Sequence, residues 1–338
     1  MFPLPRGSAI ETQASAAIHW FGDISNRSQN PNKQAYRRAL DKLSVTLLGP
    51  LASFSLPRRI ILAPDGILHR IPFAALRVPG KGRMLGLAHD LIQVPAAAYL
   101  IAGRRPRALS EFPQAIMAMT DPVFSPNDPR VEAVSRGGAA GVSTQGLGRL
   151  PFRADLDVIE SLVPASRRKT FRGFDANLEM LRHLSLRDFA ILEFYSHALI
   201  DDRVPELSRI ALSLVDRQGR AVDGFLRPYQ LAQWKLEGSV VVLSACDTAL
   251  GKQVLGEGLA GFSSSLLSAG AAQLVLTLTE VDAEATSEFL AETYRHVLTG
   301  GASMEHALTL TRLRLSRSKD LSDPYYWASF IVVGRPSD

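Results

Sequence analysis

Residues 189–198 read FAILEFYSHA, an apolar run that leads into His197. Residues 240–247 read VVVLSACD, a second apolar run that leads into Cys246. Both runs are nearly continuous rather than alternating, which is typical of strands buried on both faces of a sheet. A histidine and a cysteine are therefore each predicted to follow the carboxyl end of a buried strand.

The rest of the chain alternates between strand and helix patterns. Apolar runs that predict further strands lie at Ile60–Ala63, Leu91–Val94, Ala115–Met119, Leu274–Leu276 and Phe330–Val333. Amphipathic or small-residue patterns that predict helices lie at 154–162, 177–184, 258–267, 282–298 and 303–315. This alternation predicts an α/β sandwich with a mostly parallel central sheet.

The two strand-end residues suit nucleophilic catalysis. Sites form at the carboxyl edge of open parallel sheets. If the two strands are neighbours, His197 and Cys246 emerge side by side at that edge. An imidazole accepts the proton of a thiol and returns it to a leaving amine, while the thiolate attacks. Backbone N–H groups at Ala198 and Cys246 are the predicted donors to the oxyanion.

Composition excludes several other kinds of site. Cys246 is the single cysteine, so neither an intramolecular disulfide nor a metal site built on paired cysteines can form. No apolar run is long enough to span a membrane, and the N-terminus lacks the pattern of a secretory signal. The net charge of +5 comes from dispersed basic groups. We therefore expect a soluble, cytoplasmic protein with no metal, no membrane contact and no direct nucleic-acid partner.

Two segments differ from the α/β pattern. Residues 1–44 are predicted to be a partly flexible or helical N-terminal junction, and residues 45–338 a single domain. Within that domain, residues 122–150 are rich in proline and glycine, which predicts a long, mobile loop.

Four stretches resemble the CHAT domains, a family of caspase-like cysteine peptidases that is common in bacteria and related to separases and caspases. They are LAPDGILHRIPFAAL at 62–76, FYSHA at 194–198, LSACDTALG at 243–251 with GEGL at 256–259 and AGA at 269–271, and DPYYWASF at 323–330. They occur in the family's order and cover roughly residues 45–335.

The resemblance implies a caspase-like α/β/α sandwich that hydrolyses peptide bonds of a protein substrate through a thioester, without a cofactor. The family's catalytic histidine corresponds to His197 and its nucleophile to Cys246. Family members are often gated by attached regions, so a regulatory or activating partner is also expected.

One departure from the family pattern concerns substrate recognition. Where the family usually has tryptophan and a second aspartate, this chain has Thr279 and Ala283. Asp247, Glu280 and Asp282 are the candidate substrate-binding residues. The acidity of Glu280 and Asp282 favours arginine or lysine before the cleaved bond, whereas Ala283 equally allows a less basic preference.

Two alternatives stay open at the level of sequence. The first is a catalytically silent caspase-like scaffold for protein interactions. The second is a nucleotide-binding α/β protein, because residues 256–261 match the G-x-G-x-x-G fingerprint. That fingerprint requires its first glycine directly after a strand, whereas the predicted strand ends near Ser244.

Overall fold

The predicted strands are all present. A computed structural model describes residues 4–22, 33–80, 82–131, 147–150, 154–201, 204–244, 257–279 and 282–337. The strands of these ranges are β1 (Arg59–Leu62), β2 (Asp90–Gln93), β3 (Gln114–Thr120), β4 (Arg168–Arg172), β5 (Phe189–Phe194), β6 (His197–Leu199), β7 (Arg209–Ala211), β8 (Phe225–Leu226), β9 (Val240–Leu243), β10 (Gln273–Thr277) and β11 (Phe330–Gly334).

The five predicted helices are present as well, among further helices that the sequence analysis did not identify. In chain order they are α1 (Gly7–Gly22), α2 (Lys33–Leu48), α3 (Leu85–Ala88), α4 (Tyr99–Ala102), α5 (Ala154–Leu162), α6 (Leu178–Arg182), α7 (Pro228–Leu231), α8 (Glu257–Ser268), α9 (Ala283–Leu298) and α10 (Met304–Leu315). Short 3-10 helices lie at Gly49–Leu51, Gly66–Arg70, Phe73–Ala75, Leu109–Glu111, Ala165–Arg167, Gly173–Asp175, Leu186–Asp188, Pro205–Leu207 and Pro324–Tyr326.

Side-chain caps explain where three of these helices begin. Asn177, Asp282 and Ser303 each precede a helix and accept a hydrogen bond from a backbone N–H in its first turn. Such caps satisfy donors that have no partner within the helix, and their loss costs about 1 kcal/mol each. The cap residues therefore set the starts of α6, α9 and α10.

The chain forms two compact units. The central unit contains residues 103–276, and the flanking unit contains residues 1–102 and 277–338. In the central unit the strand order is β10-β9-β5-β3-β4 and each registered pair is parallel. In the flanking unit β2 pairs in parallel with β1 and β11. The predicted α/β class with a mostly parallel sheet is confirmed.

A small antiparallel sheet was not predicted. Strands β6, β7 and β8 form it in that order, within the central unit. Between β7 and β8 the chain forms a long hairpin. Within it Val215 pairs with Ala221, and the carbonyl oxygen of Asp216 accepts a hydrogen bond from the N–H of Gly219 at the turn. Strands of two or three residues carry too little sequence for a period-2 pattern to be recognised.

The core of the flanking unit contains a buried charged group beside its sheet. Arg312 of α10 is 1% exposed, and its Nη2 donates to the carbonyl oxygen of Phe330 in β11 at 2.6 Å. Burial lowers the pKa of Arg312 to about 10, and the charge of Asp90 opposes that shift. The guanidinium is thus charged at neutral pH, and the nearby carboxylate helps to balance it.

Asp90 joins β2 to α10 through its own hydrogen bonds. Its carboxylate is 3.0 Å from His306 Nδ1 and 3.0 Å from Arg58 Nε. Burial alone would raise the pKa of Asp90. Hydrogen bonds from His306 and Thr309, and the charges of His306 and Arg58, bring that pKa below its ordinary value of 3.8. A lowered folded-state pKa means that the carboxylate stabilises the fold above pH 3.8, and that this contribution is lost as pH falls through the folded-state pKa.

We expect Asp90→Asn to lower the free energy of unfolding by about 2 kcal/mol at pH 7, because a buried, charge-assisted set of hydrogen bonds loses its anion. The difference from wild type should shrink as pH falls below 4. Urea unfolding between pH 3 and pH 7 measures both effects. Asp188→Asn, which changes a half-exposed carboxylate 4.0 Å from Arg187, is the control. An equal loss in both variants would contradict the role of Asp90.

Candidate functional site

The strands that lead into His197 and Cys246 are direct neighbours, which is the condition that the proposed pairing of the two residues requires. β5 and β9 pair in parallel, and Phe194 stands opposite Leu243 at the carboxyl end of the pair. In the chain, His197 follows Phe194 by three residues, and Cys246 follows Leu243 by three residues. Cys246 itself lies outside the described residues. The register therefore aligns the two strand ends from which both segments start.

His197 lies on β6 and is buried, with 2% of its surface exposed. Its backbone pairs with Ala211 of β7. Its Nε2 is 2.7 Å from the carbonyl oxygen of Gly148. A carbonyl oxygen only accepts hydrogen bonds, so Nε2 carries the proton and the acceptor lone pair of the neutral ring is on Nδ1. The Gly148 carbonyl thus selects the tautomer of His197.

Apolar packing fixes the plane of the His197 ring. The ring of Phe124 lies against it, with 4.8 Å between the ring centroids and 55° between the planes. Phe124 belongs to a buried cluster with Leu147, Ala211 and Leu214, against which Leu150, Leu199 and Phe225 also pack. A ring held between an aromatic neighbour and a carbonyl has little freedom to rotate.

The residues that hold His197 were missed by the sequence analysis, which assigned 122–150 to one mobile loop. Of that segment, residues 122–131 and 147–150 are described. Val123, Phe124 and Leu147 are buried there. The spacing of Leu147 and Leu150 around Gly148 is a weak signal of two apolar anchors. A carbonyl oxygen leaves no trace in sequence, because every residue has one.

Ser213 lies in the hairpin between β7 and β8 and links two other segments of the central unit. Its buried hydroxyl accepts a hydrogen bond from the N–H of Val123 at 2.9 Å and donates to the carbonyl oxygen of Gly173 at 2.8 Å. The backbone opposite is Gly224, where a Cβ would collide with the carbonyl oxygen of Ser213. Only glycine therefore lets the two arms of the hairpin approach this closely.

The predicted oxyanion donors are described in part. Ala198 lies on β6 next to His197, is 8% exposed, and stands opposite Ile210. Cys246 lies outside the described residues. The role of both N–H groups stays a prediction.

Of the three candidate substrate-binding acids, the structure describes Asp282. Asp247 and Glu280 lie outside the described residues. Asp282 is exposed and caps α9, with its Oδ1 2.9 Å from the N–H of Ala285. Its carboxylate thus has a structural function, and its part in substrate binding stays a prediction.

The departure from the family pattern at Thr279 has a local explanation. Thr279 is buried, and its hydroxyl is 2.6 Å from the hydroxyl of Ser329. The N–H of Leu278 donates to the carbonyl oxygen of Ser329 at 3.0 Å. The polar replacement is therefore satisfied by a residue of the DPYYWASF stretch, within the flanking unit.

The spacing between β9 and α8 does not support nucleotide binding through the glycine fingerprint. β9 ends at Leu243 and α8 begins at Glu257, so residues 244–256 separate the strand from the helix.

The described residues contain no group of three or more histidine, cysteine, aspartate or glutamate side chains placed to hold a metal ion. None of the helices in the described ranges combines the length and apolar character of a bilayer crossing.

Comparison with solved structures returned distant likenesses. The separase–securin complex of Saccharomyces cerevisiae is 15% identical with a TM-score of 0.44, over 80% of this chain and 15% of that one. Gingipain R (RgpB), an Arg-specific cysteine proteinase, is 9% identical with a TM-score of 0.41, over 71% of this chain and 50% of that one. The complex of the pro- and mature domains of Porphyromonas gingivalis RgpB is 8% identical with a TM-score of 0.44, over 98% and 77%.

This chain therefore spans only a small part of the separase chain and about half of gingipain R. No curated protein matches it. The model of the CHAT domain family matches residues 37–335, which is most of the chain and includes all four stretches quoted above. The protein belongs to the CHAT domain family.

Proposed function

We propose that this protein is a cysteine endopeptidase in which Cys246 is the nucleophile and His197 the general base. The observation that carries the proposal is the hydrogen bond from His197 Nε2 to the Gly148 carbonyl, at 2.7 Å. It leaves the basic lone pair on Nδ1, which a thiol proton needs. The alignment of Phe194 with Leu243 supports the pairing of these two residues, since both segments leave the sheet at the same level.

The reaction follows from these groups. Nδ1 of His197 takes the proton of the Cys246 thiol, and the sulfur attacks the carbonyl carbon of the scissile bond. The imidazolium then gives that proton to the leaving amine as the C–N bond breaks, which leaves a thioester. Water attacks the thioester with His197 again as base, and the sulfur leaves as thiolate. The N–H groups of Ala198 and Cys246 are the proposed donors to the oxyanion in both steps.

His197 needs no third catalytic side chain in this scheme. When the ring becomes positively charged, the Nε2–H bond to the Gly148 carbonyl strengthens, because a charged donor binds an acceptor more tightly than a neutral one does. The carbonyl thus both orients the ring and stabilises its charged form.

The proposed substrate is a protein with arginine or lysine before the cleaved bond. Asp247, Glu280 and Asp282 are the proposed acidic contacts for that side chain. Asp282 is exposed and so is available to a ligand while it caps α9. Carboxylates select guanidinium and ammonium groups by charge-assisted hydrogen bonds.

Cys246→Ala should abolish labelling by a thiol-reactive peptidyl probe and cleavage of a peptide library. His197→Gln should slow cleavage by roughly 10²–10⁴-fold, because proton transfer is lost. The control is His183→Gln, which changes an exposed histidine of the same unit and should leave the rates unchanged. Cleavage that persists in Cys246→Ala would refute the mechanism. A wild-type protein that neither labels nor cleaves would favour the interaction scaffold.

Asp282→Asn separates the proposed charge contact from the helix cap, because asparagine caps a helix about as well as aspartate. We expect about a tenfold smaller preference for arginine and lysine over neutral residues, with an unchanged melting temperature. Profiling of cleaved peptides measures the preference. Glu284→Gln, which neutralises the exposed neighbouring acid of the same helix, should retain it. The same profile for Asp282→Asn and wild type would exclude Asp282 from the pocket.

Regulation is part of the proposal. The burial of His197, at 2% exposed, supports a resting state that a regulatory region or partner opens. We expect the isolated chain to turn over more slowly than the usual range of about 1–10³ s⁻¹. Steady-state assays of the isolated chain measure this. A turnover within that range, with no partner added, would contradict the gating.

A further inference from the structure

The short segment 147–150 contains the carbonyl oxygen that His197 contacts. Its first and last residues make apolar contacts, and its two central residues make polar ones. Leu147 is buried with Phe124, and Leu150 packs on the same apolar cluster. Between them, Gly148 presents its carbonyl to His197. Arg149 instead forms an ion pair with the carboxylate of Asp121. The segment is therefore anchored by apolar contacts on one side and by charge on the other.

The charged anchor is a two-point ion pair within the central unit. Arg149 Nε is 3.1 Å from Asp121 Oδ1, and Arg149 Nη2 is 2.9 Å from Asp121 Oδ2. This fork-to-fork geometry restricts the guanidinium in orientation as well as in distance. The hydrogen bond to Asp121 raises the pKa of Arg149, as expected for a formed pair.

Asp121 is itself held in an unusual conformation. It directly follows β3 and has a φ of 48°, in the left-handed region that non-glycine residues rarely adopt. Arg130 contributes to holding it there, with Nη1 2.9 Å from the Asp121 carbonyl oxygen and Nη1 also 2.9 Å from its Oδ2. Asp128 in turn binds Arg130 at 2.7 Å. Backbone strain of this kind persists where surrounding contacts over-determine it, and such places are often functional.

We propose that the Asp121–Arg149 ion pair is a positioning device for the catalytic base: it holds the Gly148 carbonyl in place and so keeps His197 in the Nε2–H tautomer. The inference rests on the proposed function of His197. It assigns no contact with substrate to Asp121 or Arg149, which act only through Gly148. An exposed ion pair contributes little to global stability, so its effect should be local.

The first measurement does not depend on enzyme activity. Long-range ¹H–¹⁵N correlation spectra of protein labelled at histidine report which ring nitrogen carries the proton, and His197→Gln identifies the signal. At pH 8, wild type should show the Nε2–H tautomer of His197. Arg149→Ala and Asp121→Asn should each shift that signal towards a mixture of tautomers and speed exchange of the ring N–H. Asn tolerates the left-handed conformation, so Asp121→Asn removes the charge without adding backbone strain.

The second measurement is kinetic. Both variants should lower kcat by roughly 10–100-fold with little change in KM, since the base is misplaced while the substrate site is intact. The double variant should be no worse than Asp121→Asn alone, because Asp121→Asn already breaks the pair with Arg149. Arg149→Lys retains the charge but not the two-point geometry and should fall between wild type and Arg149→Ala.

Arg220→Ala is the matched control. It removes an arginine that pairs with Asp216 at 2.6 Å at the tip of the hairpin, and the exposure of this pair is comparable to that of Asp121–Arg149. It should change neither the tautomer nor kcat. An unchanged His197 signal in folded Arg149→Ala or Asp121→Asn would overturn the inference. If wild type shows the Nε2–H tautomer and the variants lose it, yet no variant or wild type cleaves peptides, the positioning device stands and the proposed peptidase function fails.

Discussion

The parallel pairing of β5 with β9 is the constraint on which the candidate site depends. Backbone hydrogen bonds between parallel strands fix the register, so Phe194 and Leu243 end at the same level. A shift by one residue would also turn every side chain of a strand to the other face of the sheet. Since all six residues of β5 are buried, such a shift is strongly disfavoured. Burial of these apolar strands thus helps to set the level at which β5 and β9 end.

Around His197 the decisive contacts come from backbone and apolar groups. The Gly148 carbonyl selects the tautomer, Phe124 limits the ring, and β7 holds the backbone. A histidine oriented by a carbonyl does not depend on a particular side chain at the orienting position. It depends instead on where the segment that bears the carbonyl lies. This is why the anchors of that segment, Leu147, Leu150 and the Arg149 ion pair, bear on the chemistry although none touches the ring.

Polar residues in both units have structural functions, which at Asp282 coexist with a proposed part in substrate binding. Asp282 caps a helix while it is a candidate substrate contact, and Asp90 joins a strand to a helix through buried hydrogen bonds. Ser213 satisfies two backbone groups, the N–H of Val123 and the carbonyl oxygen of Gly173. For Asp282 and Ser213, a backbone donor would otherwise lack a partner, at a cost comparable to that of a lost hydrogen bond. Substitutions that retain the hydrogen bond while they remove the charge are therefore the informative ones.

The sequence by itself determined the α/β class, seven strands, five helices and the two residues proposed for catalysis. It could do so because strands buried on both faces are continuously apolar and because capped helices have local signals. It did not predict β4, the partly exposed edge strand RKTFR, or the small sheet that carries His197. Nor did it predict Gly148, Phe124 or the Asp121–Arg149 pair. Asp121 and Arg149 are far apart in the chain, and a carbonyl oxygen has no residue-specific pattern. Only the tertiary structure brings such groups together, because their meeting depends on packing between distant segments and not on any local preference.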